Sequence, residues 1–102
     1  TAEHASDAAA QAVRATPAAL LLDADLAVLG SHPSRYARYV REIRAEYPHV
    51  PDDDFRRGRR RVLEALLARR HLFVTPRGRE WWEEQARRNM TAELAALPAI
   101  TP

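Results

Sequence analysis

Seven prolines and three glycines break this chain into stretches rich in Ala, Leu, Arg and Glu. Those four are strong helix formers, and the residue before a proline is pushed out of helical geometry. Runs of Val, Ile and Thr at a period of two are absent, so strands have no basis in the pattern. The expected fold is all-α: one helical domain over 1–102, a compact bundle of about five helices. The helices are expected near 2–15, 18–29, 33–47, 52–69 and 76–97.

The helix near 2–15 carries mostly Ala at its apolar positions and ends at Thr16-Pro17. The one near 18–29 is apolar almost all round, which marks a buried helix, and Gly30 ends it. The helix near 33–47 has Ser31 or Ser34 as its expected cap and Pro48 as its stop. Its stripe is Tyr36, Tyr39, Val40, Ile43 and Tyr47. The helix near 52–69 packs through Phe55, Val62, Leu63, Leu66 and Leu67. For the one near 76–97, Thr75 is the expected cap and Pro76 opens the first turn, where a missing N–H costs nothing. Its inner face is Trp82, Ala86, Met90, Leu94 and Leu97, and Trp81 falls at an edge. The apolar link His71–Val74 reads as an extended piece tucked against the bundle.

Composition excludes several classes. The chain has no cysteine, so neither a disulfide scaffold nor a Cys-based zinc site is open to it. Its longest apolar run is Ala18–Leu22, too short to cross a bilayer. No basic-then-apolar leader opens it, and the expected compartment is the cytoplasm. All sixteen basic residues are Arg, yet net charge is only +2, which argues against a general polyanion binder. Residue 1 is Thr rather than Met, so the chain reads as processed, trimmed or a fragment.

The sharpest signal is a pair of acids in the most apolar helix, Leu20-Leu21-Leu22-Asp23-Ala24-Asp25-Leu26-Ala27-Val28-Leu29. At about 100° per residue, Asp25 lies beside Leu21, Leu22, Val28 and Leu29, and Asp23 beside Ala19, Leu20, Leu26 and Ala27. A buried carboxylate with no partner costs several kcal/mol or takes up a proton. An Arg from another helix, access to water, a metal ion or general-base chemistry would each account for such a group. Two residues apart on a helix, the two acids point in roughly opposite directions, so only one need ligate an ion.

The string Leu20–Gly30 resembles the last signature of predicted metal-dependent phosphohydrolases of the HD superfamily. The likeness continues through Arg35-Tyr36, Tyr39-Val40-Arg41-Glu42-Ile43-Arg44, Glu46-Tyr47, His49-Val50-Pro51 and Phe55. Beyond these it takes in Gly58-Arg59, Val62-Leu63, Leu66–Arg69, Phe73, Thr75-Pro76, Trp82-Glu83, Ala86-Arg87 and Asn89. The resemblance implies an all-helical fold, of which this chain is the C-terminal part. It also implies a divalent-metal site built from a His, a His-Asp dipeptide and a distal Asp. The distal Asp maps onto Asp25, with Asp23 as the second choice, and His4 matches a segment where some members carry an additional His.

This chain departs from that pattern, because His4, His32, His49 and His71 are followed by Ala, Pro, Val and Leu. The first His and the His-Asp pair are therefore missing, and a water-activating site needs three or more protein ligands. The expectation is a partial hydrolase that binds no metal tightly and turns over no phosphoester by itself. Its expected partner is the missing N-terminal half of the domain or, by self-association, a second copy. The alternative is a non-catalytic helical interaction or oligomerisation module.

Two further features carry ordinary explanations. The run Arg56-Arg57-Gly58-Arg59-Arg60-Arg61 reads as a solvated helix face, with Asp52 and Asp53 four residues ahead of Arg56 and Arg57 as helical pairs. Nucleic-acid binding through it is not expected. Tyr36, Tyr39 and Tyr47 interleave with arginines as an amphipathic face rather than as a base-stacking surface.

Overall fold

Proline sets the start of every helix among the described residues. The computed structural model describes residues 17–97, and the helix expected near 2–15, together with His4, lies outside them. Helix α1 spans Pro17–Leu26 and runs into a 3-10 turn, Ala27–Gly30. Helix α2 spans Pro33–Glu46 and α3 spans Asp52–Ala68. Three contiguous stretches with unbroken right-handed backbone make up α4: Pro76–Gly78, a π-helical turn Arg79–Glu83, and Glu84–Ala96. Pro17, Pro33 and Pro76 are first residues of helices, and Pro51 is the N-cap of α3. Among the described residues there are four helices and no strand. None of these helices is long and apolar enough to cross a membrane.

The core is formed by Leu29, Tyr36, Leu63, Leu72, Phe73, Ala86 and Met90. Leu72 and Phe73 come from the link between α3 and α4, which is tucked in as its apolar sequence predicts. The Phe73 and Trp82 ring centroids lie 5.5 Å apart, joining the link to α4. Thr75 caps α4 as expected, its Oγ1 accepting a hydrogen bond from the Gly78 N–H at 3.0 Å.

Several expectations are corrected. The helix near 18–29 ends as an α-helix at Leu26 and tightens to a 3-10 turn. That turn is fastened from α4, where the Asn89 side-chain amide donates to the Leu29 and Ser31 carbonyls at 2.9 and 2.8 Å. Gly30 lies so close to α4 that a Cβ there would stand 2.5 Å from the Trp82 Cβ. The cap of α2 is His32 rather than Ser31 or Ser34, because Pro33 fills the first helical position and His32 precedes it. Its Nδ1 accepts from the Ser34 N–H at 3.1 Å. Val62 and Tyr47 are about half exposed. The inner line of α3 steps through Phe55, Arg59 and Leu63, and Arg59 holds a position that the apolar pattern passes over.

The largest correction concerns α1, which is not a buried helix. Only Ala19 and Asp23 are buried, while Leu20, Leu21 and Leu22 are 54%, 64% and 56% exposed. The buried line is an i, i+4 pair turned toward the link and the first turn of α4, and the leucines lie off that line.

Candidate functional site

The two acids of α1 have opposite environments. Asp23 is 2% exposed and makes no ion pair among the described residues. Its carboxylate instead accepts the Val74 N–H at 2.6 Å, the Thr75 N–H at 2.8 Å and the Thr75 hydroxyl. Glu83 does the same from α4: its carboxylate accepts the Leu72 N–H at 3.0 Å and the Phe73 N–H at 3.1 Å. Four consecutive amides of the link, 72 to 75, therefore end on two carboxylates. The link has no strand or helix to satisfy those donors, and a buried amide without an acceptor costs about 1–3 kcal/mol.

The clamp is extended at both ends. Gly78 carries no side chain where a Cβ would lie 2.5 Å from Asp23 Oδ2 and 2.9 Å from the Phe73 Cβ. Arg87 donates to Glu83 at 2.9 Å and to the Leu67, Arg69 and Arg70 carbonyls at 3.1, 2.7 and 3.2 Å, covering the end of α3. Neither an Arg partner nor water accounts for Asp23; backbone amides do. Nothing in the local sequence pairs Asp23 with Thr75 or matches it to Glu83. The one signal for Thr75 is the Thr75-Pro76-Arg77-Gly78 cap, which places a hydroxyl and a bare backbone side by side, and Glu83 has none.

Asp25 is exposed, and the expectation of an apolar surround for it fails. No hydrogen bond or ion pair reaches its carboxylate from the described residues. Leu21 and Leu22, one turn away on the same side of α1, are more than half exposed. No group of three His, Cys, Asp or Glu side chains placed to hold a metal ion occurs among the described residues. Asp23 and Asp25 do not converge, consistent with their spacing.

A second buried polar cluster joins α2, α3 and α4. Arg59 and Glu93 form a two-pronged ion pair at 2.6 and 2.8 Å, with side chains 8% and 9% exposed. The Tyr36 hydroxyl donates to Glu93 Oε1 at 2.5 Å. Burial, together with the acceptor Glu93, holds the Tyr36 proton well above the usual phenol range. Burial works against the Arg59 charge, but the Glu93 hydrogen bond and charge outweigh it and hold the guanidinium proton more tightly than usual.

The rest of the basic run is solvated. Arg56 pairs with Asp53 at 2.5 Å and Arg57 with Asp54 at 3.0 Å, each three residues apart rather than four. Asp52 turns back to Arg44 at 2.7 Å, and that hydrogen bond and charge hold its carboxyl below the ordinary range. Tyr36 is buried, Tyr39 half-buried and Tyr47 half exposed. Trp81 lies at an edge, 58% exposed, with the Arg77 guanidinium 5.5 Å from its ring centroid. Comparison of this chain with protein-family models, curated proteins and solved structures finds no match.

Proposed function

We propose that this chain is the distal part of a metal-dependent phosphohydrolase of the HD superfamily, with Asp25 as a ligand it contributes to a divalent-cation site. The observation that carries this reading is the difference between the two acids. Asp23 is occupied by three protein donors and crowded by Gly78, so it has no room for an ion. Asp25 has a free carboxylate beside leucines that present an uncovered apolar face. The remaining ligands would then come from elsewhere, either more of the same polypeptide or a second chain.

The metal, when bound, would lower the pKa of a coordinated water for attack on a phosphoester. The part of this chain is to hold α1 rigid through the Asp23 clamp and to present Asp25 at its outer side. His4 enters the ligand set by resemblance alone.

The test begins with the reading frame upstream of Thr1. The longer chain is expected to encode a His and a His-Asp dipeptide, to copurify with a divalent metal by elemental analysis and to hydrolyse a phosphoester. Asp25→Ala should lower bound metal at least about tenfold. Equal metal in parent and variant removes the reading, as does an upstream sequence without those ligands. The second reading, a non-catalytic interaction module, draws on the same three exposed leucines. It predicts self-association that Leu21→Ser abolishes and Asp25→Ala leaves unchanged.

A further inference from the structure

We propose that the outer face of α2 carries a binding groove for a phosphomonoester group, formed by Ser34, Arg35, Arg38 and Arg41. The groove has a volume of about 380 Å³ and is lined by those four residues. The arginines recur every third residue, so each is about 4.5 Å further along the axis than the last, on one side of a single helix. This site is independent of the hydrolase reading and does not involve Asp25.

Positive charge exceeds negative charge along this face. Arg44, Arg56, Arg57 and Arg59 each reach a carboxylate within 3.0 Å. Along the groove a single acid, Glu42, serves two arginines, and only at 3.9 Å from Arg35 and 3.7 Å from Arg38, beyond hydrogen-bond length. The Arg41 side chain makes no ion pair or hydrogen bond among the described residues. Three guanidiniums against one carboxylate leave two positive charges, which match a phosphomonoester of charge about −1.5 to −2.

Arg35 Nη1 is enclosed and has no hydrogen-bond partner, the one such side-chain nitrogen among the described residues. The Arg35 side chain as a whole is 41% exposed, so an anionic oxygen in the groove meets this guanidinium at its open atoms rather than at Nη1. The guanidinium fork fits two oxygens of one phosphate, which a rotatable ammonium does not do as well. The Ser34 hydroxyl, 2.8 Å from His32 Nδ1, stands at the entrance as a further polar contact.

The experiment follows backbone and Arg side-chain N–H signals by NMR while the chain is titrated with phenyl phosphate, with sodium chloride at matched ionic strength as the reference. The expected result is one saturable site, with shifts confined to residues 34–42. Arg35→Gln and Arg38→Gln should each weaken it about tenfold, while Arg57→Gln leaves it unchanged. Circular dichroism checks that the variants keep their helices; two separate arginines are used so that failure of one to fold leaves the other decisive. Three outcomes each overturn the proposal: shifts that chloride reproduces, affinity unaffected by both variants, or binding seen only with a nucleic-acid duplex and lost steeply with salt.

Discussion

The inner and outer sides of α1 invert the usual amphipathic order. Inside lie Ala19 and an acid, Asp23; outside lie Leu20, Leu21, Leu22 and a second acid, Asp25. The difference is the supply of hydrogen-bond donors. The link 72–75 brings two amides and a hydroxyl to Asp23, and nothing described brings any to Asp25. The same holds at Arg59, Glu93 and Tyr36, where three polar groups are buried because each satisfies the others. Burial in this protein follows satisfied polarity as much as hydrophobicity, and the leucines of α1 are left for something else to cover.

The largest expected effect tests the inner side. Asp23→Ala leaves the Val74 and Thr75 amides and the Thr75 hydroxyl without acceptors and should destabilise the fold by about 3–5 kcal/mol in urea unfolding. Asp25→Ala in the same assay should change stability by less than about 0.5 kcal/mol. Equal losses would erase the distinction between the two acids.

Next in size is Gly78→Ala, which drives a Cβ into the Asp23 carboxylate and the Phe73 side chain. A loss of about 1–3 kcal/mol is expected. Asp23→Ala should absorb part of it, since the crowded carboxylate is then gone, and a double-mutant cycle reads that coupling directly.

The buried tyrosine sharpens the comparison through pH. Its proton is held in the folded state at pH values where an unfolded tyrosine, with an ordinary pKa of about 10, has begun to lose it. The folded state thus binds more protons, so stability is full below about pH 10 and falls as pH rises beyond it. The slope for one proton is at most about 1.4 kcal/mol per pH unit. Tyr36→Phe should remove this contribution to the alkaline loss, measured by urea midpoints from pH 9 to 11 (roughly the onset range of phenol ionisation). An unchanged slope would place the Tyr36 hydroxyl outside the cluster.

The smallest expected effect is Leu21→Ser on the outer side, below about 0.5 kcal/mol in stability. Its consequence should be seen instead in sedimentation, as weaker self-association at high concentration. A large loss of stability would mean that this face is already packed.

Much of the fold was legible because its signals are local. Proline at the first helical position, the Thr75 cap and the apolar spacing of Leu63, Ala86 and Met90 act within a turn or two of chain, as does the run that tucks Leu72 and Phe73 inward. The candidate site was only half legible. Two acids in an apolar helix are visible as an anomaly, but which one is buried depends on amides 51 and 52 residues further on. Arg59 was hidden for the same reason: inside a run of arginines, nothing nearby marks the one whose carboxylate lies 34 residues away.

Composition and periodicity, acting through backbone sterics and helix propensity, were enough to determine an all-helical chain with proline-set starts. Tertiary structure alone decided which face of each helix turned inward where polar groups were concerned. A carboxylate or guanidinium is stable in the interior only when distant donors or acceptors arrive to meet it, and that meeting is a property of the folded arrangement rather than of any local stretch of residues.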